Sequence, residues 1–174
     1  RLWSSAADRA LAATLIPDGS PVLAIGPTAN WRAKTWRVER FAELALRVTA
    51  ADGLFPDGRI ALFGRDDERP QVIQLIESLP SERCLDLIGV PDLLEIYACL
   101  QRCDLYVGND SGLMHIAAAA GVPTLGLFGP SKEALYAPWG PHCAPVRTPQ
   151  SFDTIHPEGF NHITSDSLMD GLTV

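Results

Sequence analysis

The sequence predicts an α/β protein with a doubly wound, Rossmann-like parallel sheet that carries helices on both faces. Short apolar runs alternate with segments of helical periodicity, and the connections between them are short. Such alternation is typical of parallel sheets joined by right-handed crossovers. The 174 residues, of which 47% are hydrophobic, also suffice for one domain with a sizeable core.

Five apolar runs are predicted to be strands, and glycine follows several of them as a turn signal. They cover residues 22–25, 59–63, 84–88, 105–107 and 124–128. Segments with helical patterns cover residues 5–15, 38–51, 70–79, 92–102 and 111–120. Pro91 and Asp92 signal the start of the fourth helix, and Gly121 closes the fifth.

The chain is divided into three parts by these patterns. Residues 1–19 are interpreted as a linker or crossover helix and residues 20–147 as the sheet domain. Periodicity fades after Pro141, and residues 148–174 are interpreted as a loop-rich C-terminal extension of the same domain. The chain begins with Arg1 rather than Met, so we expect it to be processed or to be part of a larger protein.

Composition excludes several classes of function. The formal net charge of −7 argues against a nucleic-acid partner. No apolar run is long enough to span a membrane, and no secretory signal is visible. Scattered cysteines without a disulfide framework suit a reducing cytosol, so we expect a cytoplasmic protein. The four cysteines form no C-x-x-C pair, so neither a zinc site nor any other metal site is expected, and Cys99 and Cys103 are predicted to be buried thiols.

A basic cluster follows the first predicted strand. Arg32, Lys34, Arg37 and Arg40 lie close together in an otherwise acidic chain. Ligands of doubly wound sheets bind beyond the carboxyl ends of the strands, and the following helix adds partial positive charge. The cluster is therefore a candidate phosphate site, although a solvated basic turn with Trp36 in the core explains it equally well.

An acidic cluster follows the second predicted strand. The carboxylates of Asp66, Asp67 and Glu68 are suited to accept hydrogen bonds from ribose or sugar hydroxyls. For Asp66 or Asp67, capping of the next helix is the favoured alternative.

The turn after the fourth predicted strand is the most suggestive. Asp110 or Ser111 can cap the next helix, and Gly112 allows a ligand to approach the backbone N–H groups. Ser111 and His115 are four residues apart and share a helix face. A diphosphate would meet N–H groups, a hydroxyl and an imidazole there, although a capping Asp110 and a structural His115 need no ligand.

Two stretches resemble a known family. Residues 107–131 read VGNDSGLMHIAAAAGVPTLGLFGPS, and residues 29–45 read ANWRAKTWRVERFAELA. Both are similar to C-terminal-domain motifs of glycosyltransferase family 9, the ADP-heptose:lipopolysaccharide heptosyltransferases. The resemblance covers roughly residues 20–147 and implies the nucleotide-sugar-binding, C-terminal half of a two-domain GT-B glycosyltransferase of lipopolysaccharide biosynthesis.

The resemblance also implies donor-binding residues. Lys34 matches a lysine that contacts the donor phosphates, Glu68 an acidic residue near the ribose, and His115 the family histidine. In the family, one turn surrounds the diphosphate and the sugar of the donor. The residues that match this turn are Asp110, Ser111, Gly112 and Leu113. Thr28 and Asn30 lie near the family's phosphate-binding hydroxyl positions.

The resemblance also implies that this chain contains no catalytic residue. The family's base is an aspartate of the N-terminal domain, which is also expected to bind the lipid-linked sugar acceptor. We therefore expect an ADP-sugar, ADP-heptose in particular, as substrate, no tightly bound cofactor, and little or no transfer by this chain alone. The full-length protein is expected to be cytoplasmic, with peripheral association at the inner membrane.

Other functions stay open. A stand-alone nucleotide-sugar-binding module or pseudo-transferase has the same binding residues. A more remote alternative is an α/β hydrolase with Asp110 as nucleophile in a G-x-D-x-G elbow and His142, His156 or His162 as base. A dinucleotide-dependent oxidoreductase is disfavoured because no G-x-G-x-x-G follows the first strand.

Overall fold

The computed structural model describes residues 2–90, 92–162 and 164–174. The strands are β1 (Val22–Gly26), β2 (Arg59–Gly64), β3 (Cys84–Ile88), β4 (Leu105–Asn109), β5 (Thr124–Phe128) and β6 (Cys143–Arg147). They form one sheet in the order β3-β2-β1-β4-β5-β6, and every neighbouring pair is parallel. The predicted Rossmann-like parallel α/β fold is thus confirmed.

Helices cover both faces of the sheet. They are α1 (Ala6–Leu15), α2 (Val38–Val48), α3 (Arg69–Ser78), α4 (Leu93–Leu100), α5 (Gly112–Ala120), α6 (Glu133–Tyr136) and α7 (Phe152–Ile155). Apolar residues of α1, α4 and α5 form one core cluster with Val22 and Ala24 of β1. Those of α2 and α3 form the other with Leu23 and Ile25, because successive side chains of a strand point to opposite faces.

The helix boundaries differ slightly from the sequence prediction. The second helix ends at Val48 rather than at residue 51, and the Thr49 hydroxyl donates to the Ala45 carbonyl oxygen at 2.8 Å beyond its end. A side-chain hydroxyl that bonds a carbonyl four residues back competes with continuation of the helix. Pro91, predicted to precede the fourth helix, lies outside the described residues.

The sequence analysis missed the sixth strand. β6 pairs with β5 alone and lies at the edge of the sheet, and its central residue is Pro145. Proline lacks an N–H donor and is tolerated at sheet edges. A proline in a short segment of half-buried and exposed residues gives no strand pattern, which is why the sequence predicts no strand there.

The C-terminal segment packs on this domain. Met169 and Leu172 are buried in the same core cluster as Trp36 and Phe41. The buried position of Trp36 agrees with its prediction as a core residue. Cys99 and Cys103 are also buried, as predicted, and burial raises the pKa of the Cys99 thiol to about 11.

The strand order reverses between β1 and β4. From β1 the chain continues to β2 and β3 on one side, whereas β4 opens the β5–β6 side. In open α/β sheets such a switch point separates the loops that follow its two strands and leaves a crevice at their carboxyl ends. Within the described ranges, no helix has the length and apolar character required to cross a membrane.

Candidate nucleotide site

A cavity of about 570 Å³ opens at the carboxyl edge of the sheet, a volume within the usual range of small-molecule sites. Polar groups come mainly from the loops after β1 and β2, and apolar side chains from the segment after β3 and from α4 and α5. The lining residues are Thr28, Ala29, Asn30, Gly64, Arg65, Asp66, Glu68, Gly89, Val90, Leu93, Ile96, Ser111, Gly112, Leu113 and Ile116.

Six of the nine predicted donor-binding residues meet in this cavity: Thr28, Asn30, Glu68, Ser111, Gly112 and Leu113. Lys34, Asp110 and His115 do not line it. Asp110 nevertheless adjoins it, because it directly precedes Ser111 in the chain, and Lys34 is bonded to Asp110. His115 is exposed on α5, and its predicted contact with a donor stays a prediction.

Lys34 and Asp110 form an ion pair beside the cavity. Lys34 ends a short 3₁₀ turn (Arg32–Lys34), and its Nζ lies 3.0 Å from Asp110 Oδ2. Their side chains are only 15% and 7% exposed. The ammonium also lies 5.0 Å from the centre of the Trp31 ring, within the range of a cation–π contact. The lysine is therefore fixed at this edge of the sheet.

The rest of the predicted basic cluster serves other contacts. Arg32 pairs with Asp166 of the C-terminal segment at 3.0 Å, and Arg37 donates from Nη2 to Asp170 at 2.7 Å. Arg40 pairs with Glu43 on its own helix. The phosphate hypothesis for this turn therefore depends on Lys34 rather than on a broad basic surface.

Further hydrogen bonds join the C-terminal segment to the loop that carries Lys34. The backbone N–H of Leu168 donates to the carbonyl oxygen of Ala33 at 3.0 Å, and Trp36 Nε1 donates to the carbonyl oxygen of Leu172 at 2.9 Å. The Arg37 guanidinium lowers the pKa of Asp170 by hydrogen bonding and by charge. The segment thus supports the loop from the side of α2.

The first turn of α5 carries no side-chain cap. Ser111 occupies the N-cap position, but its side chain makes no capping hydrogen bond, and the Asp110 carboxylate bonds Lys34 instead. The predicted capping by Asp110 or Ser111 is therefore wrong. A Cβ atom at Gly112 would meet no atom within 4 Å, so the space at the helix start is open and its N–H groups favour an anion.

Glu68 is the buried one of the two acidic residues that line the cavity, the other being Asp66. It is only 8% exposed, and its Oε2 accepts hydrogen bonds from Thr28 Oγ1 at 2.8 Å and from the backbone N–H of Arg65 at 2.9 Å. The predicted capping of α3 by Asp66 or Asp67 is wrong: Glu68 takes the N-cap position without a side-chain cap, and Asp67 pairs with Arg65.

Asn109 is a structural residue of the site that the sequence analysis missed. Its side chain is fully buried at the end of β4. Its Oδ1 accepts a hydrogen bond from the backbone N–H of Trp36 at 3.0 Å, and its Nδ2 donates to the carbonyl oxygen of Pro27 at 2.8 Å. An amide in the last position of an otherwise apolar strand was the available signal, because such a buried group needs partners.

The geometry does not support the hydrolase alternative. The Asp110 carboxylate bonds Lys34, and no hydrogen bond joins it to any histidine in the part of the chain that the structure describes. His156 bonds backbone oxygens of Phe152 and Pro130, and His162 stacks on Trp31. Nor does the described part of the chain contain a group of three His, Cys, Asp or Glu arranged to hold a metal ion.

Comparison with known proteins gives consistent matches. The model for glycosyltransferase family 9 (heptosyltransferase) matches residues 2–154. Lipooligosaccharide heptosyltransferase 2 of Haemophilus influenzae is 34% identical over 123 residues, which cover 68% of this chain and 34% of that protein. The chain thus spans about a third of the length of that curated relative.

Solved structures agree on the fold. The Escherichia coli ADP-heptose LPS heptosyltransferase II has a TM-score of 0.73 and 25% identity, with 87% of this chain and 46% of that one covered. The glycosyl transferase family 9 structure from Veillonella parvula has a TM-score of 0.77 and 24% identity, with coverages of 87% and 44%.

Proposed function

The chain belongs to glycosyltransferase family 9, the heptosyltransferases, and from this premise we propose that it is the donor-binding domain of an enzyme of lipopolysaccharide core synthesis. The proposed donor is an ADP-sugar, ADP-heptose in particular. The proposed whole enzyme is a GT-B glycosyltransferase, of which this chain is the C-terminal half.

One observation carries the proposal. The uncapped start of α5 lies at the cavity, directly after Asp110, whose partner is Lys34. A diphosphate bound there would accept hydrogen bonds from helix N–H groups and lie close to an ammonium.

The remaining lining suits the nucleoside. Apolar side chains of Val90, Leu93, Ile96 and Ile116 offer a surface for a planar base, and Glu68 offers a carboxylate for ribose hydroxyls. The cavity volume of about 570 Å³ suits a ligand of nucleotide size.

The proposed chemistry divides between two domains. Loss of the ADP leaving group builds negative charge on the diphosphate, which Lys34 and the start of α5 are suited to stabilise. Attack by an acceptor hydroxyl needs a base within hydrogen-bond reach. We place that base, and the lipid-linked acceptor, in another domain, so this chain alone binds the donor without transferring its sugar.

The same proposal covers cofactors and cellular location. The ADP-sugar is a substrate, and no tightly bound cofactor or metal ion is required, because Lys34 and the helix start supply the positive potential. A cytoplasmic location, with peripheral association at the inner membrane through the full-length protein, places the enzyme where a cytoplasmic nucleotide sugar and a lipid-linked acceptor meet.

Calorimetric titration with ADP and ADP-heptose tests donor binding. Lys34→Ala is expected to weaken ADP binding by about tenfold or more, since a hydrogen bond to a charged group contributes about 1.5–3 kcal/mol. Lys132→Ala is the matched control, because Lys132 is the other lysine and lies over the Phe152 ring, outside the cavity. No binding at millimolar ADP, or equal binding by Lys34→Ala, contradicts the proposal.

Sugar transfer is measured separately. The isolated chain is expected to release no ADP from ADP-heptose in the presence of an acceptor, whereas a full-length protein with the second domain is expected to do so. Transfer by the isolated chain would contradict the proposal that the base and the acceptor site lie in another domain. Binding without transfer by the full-length protein would instead identify a nucleotide-sugar-binding module or pseudo-transferase.

A further inference from the structure

Thr28 and Glu68 form a buried hydrogen-bonded pair in the wall of the cavity. They are 6% and 8% exposed, respectively, and both line the cavity. Thr28 follows β1, whereas Glu68 ends the 3₁₀ turn after β2 (Asp66–Glu68). The Thr28 hydroxyl donates to Glu68 Oε2 at 2.8 Å, so the pair connects the loops of two neighbouring strands.

The proton of the Thr28 hydroxyl is already used in this bond. A hydroxyl carries one donor hydrogen and two acceptor lone pairs. While Thr28 donates to Glu68, its oxygen presents only lone pairs elsewhere, and these repel the oxygens of a phosphate. The arrangement argues against direct donation from Thr28 to the donor phosphates.

Glu68 is held with one oxygen occupied and the other available. Oε2 accepts from Thr28 and from the backbone N–H of Arg65. The Arg65 guanidinium lies 3.9 Å from Oε1, which is beyond hydrogen-bonding distance. Within the described residues, Oε1 thus makes this ion-pair contact but no hydrogen bond, and it is able to accept hydrogen bonds from a ligand.

Gly64 borders the pair at the end of β2 and leaves space beside it. A Cβ atom at Gly64 would lie 3.4 Å from Glu68 Oε2, 3.7 Å from Thr28 Oγ1 and 3.0 Å from Ile88 Cδ1. The absence of a side chain at Gly64 thus leaves room for the carboxylate beside β2. A carboxylate that is only 8% exposed and held by two hydrogen bonds is preorganised for a ligand hydroxyl and loses little rotational freedom on binding.

We propose that Thr28 is a positioning residue: it orients the Glu68 carboxylate for the ribose hydroxyls of the nucleotide and does not bind its phosphates. The inference rests on the proposed function, since it concerns how the same cavity selects a ribonucleotide. It assigns ribose selectivity to a pair of side chains rather than to Glu68 alone.

Three ligands separate the possible roles of Thr28. ADP carries both ribose hydroxyls, 2′,3′-dideoxy-ADP carries neither, and pyrophosphate carries only the anionic part. Dissociation constants for all three are measured by calorimetry for the wild-type chain, Thr28→Val and Thr28→Ser. Thr49→Val is the matched control, because Thr49 is a buried threonine whose hydroxyl bonds a backbone carbonyl oxygen, and it does not line the cavity.

The wild type is expected to bind ADP at least about tenfold more tightly than dideoxy-ADP, as hydrogen bonds to a carboxylate predict. Thr28→Val is expected to lose most of this preference and to bind pyrophosphate unchanged. Thr28→Ser keeps a hydroxyl and is expected to retain the preference, as is Thr49→Val. Thr28→Ala serves the same purpose as Thr28→Val if the valine variant does not fold.

Several results would overturn the inference. A fully retained preference in Thr28→Val and Thr28→Ala, or no preference in the wild type, shows that Thr28 does not act through ribose recognition. An equal loss of affinity for all three ligands shows that Thr28 binds phosphate. These results leave the proposed function intact, whereas failure of the wild type to bind any of the three ligands refutes the proposed function itself.

Discussion

Lys34 and Asp110 neutralise each other at the switch point of the sheet, with Nζ and Oδ2 3.0 Å apart and both side chains largely buried. The pair joins the loop after β1 to the loop after β4. An anion that reaches the start of α5 therefore encounters a cation that already has a partner and a carboxylate that repels it. Asp110 positions Lys34 but also opposes the charge of a diphosphate.

Asp110→Asn is expected to separate these two effects. Without ligand, the unfolding free energy of the variant should be about 1–3 kcal/mol lower than that of the wild type, because a largely buried ammonium loses its charged partner. The variant should therefore also unfold at a lower temperature. The further stabilisation by saturating ADP should be larger than in the wild type, since the repelling charge is gone. Thermal unfolding with and without ADP measures both effects, and a smaller ADP-induced shift would refute the electrostatic argument.

Asn109→Ala is expected to loosen the loop that carries Lys34. The variant leaves the N–H of Trp36 and the carbonyl oxygen of Pro27 without their buried partner, which should cost about 2–4 kcal/mol of unfolding free energy. ADP affinity should fall as well, although Asn109 does not line the cavity. Urea unfolding and ADP titration at a temperature where the variant is folded measure the two losses. Unchanged ADP affinity would show that the amide supports the core alone.

Tyr106→Phe is expected to preserve stability or raise it by about 1 kcal/mol, because it removes a buried hydroxyl that makes no well-formed hydrogen bond among the described residues. The Tyr106 side chain is fully buried; burial raises its pKa, and the nearby Ser111 side chain offsets only part of that rise. Thermal unfolding of this variant checks the expectation. A loss of more than about 1 kcal/mol would mean that the hydroxyl has a stabilising partner, such as a bound water.

Gly26→Ala, in contrast to Tyr106→Phe, is expected to destabilise the protein. A Cβ atom there would lie 2.0 Å from the Tyr106 hydroxyl oxygen, so the substitution forces the ring or the strand to move and should cost at least about 1–3 kcal/mol. The same unfolding experiment measures this cost. Wild-type stability of Gly26→Ala would show that the ring relocates freely and that the close approach is not a constraint.

Acid is expected to release the C-terminal segment from the Lys34 loop. Arg37 lowers the pKa of Asp170 below its ordinary value of 3.8. A lowered pKa in the folded state means that the stabilisation is complete above pH 3.8 and is lost as the pH falls through the folded value. The protection of the Leu168 amide against hydrogen exchange, relative to its intrinsic exchange rate at each pH, should therefore fall below that range.

Arg37→Gln provides the control for this titration. Without the guanidinium, the pKa of Asp170 should return towards its ordinary value, and exchange at Leu168 should be faster even at neutral pH. Identical pH profiles for the variant and the wild type would indicate that the ion pair does not hold the segment.

The parallel sheet was predictable because its signals are local. Each of the first five strands is a short apolar run, and each intervening helix has its own periodicity. β6 escaped detection because Pro145 interrupts the apolar pattern and the strand pairs on one side only. Its position depends on the free edge of β5, which is a property of the assembled sheet.

The candidate site was predictable in location but not in its internal pairing. Loops after parallel strands converge at one edge, which is why Thr28, Glu68 and Ser111 share a cavity. Helix capping was wrongly predicted for Asp110 because its actual partner, Lys34, lies 76 residues away in sequence. The pairing of Arg37 with Asp170 spans 133 residues, and local patterns contain no information at that separation.

The strand order has a consequence for how the proposed donor site can diversify. Residues 64–96 provide Glu68 and much of the apolar lining of the cavity. The Lys34–Asp110 pair and the uncapped start of α5 belong instead to the loops after β1 and β4, the two strands between which the strand order reverses. If the proposed function holds, affinity for the charged part of a donor and discrimination among its uncharged parts are encoded largely in separate stretches of chain. Substitutions can alter the second property during evolution while the first is preserved.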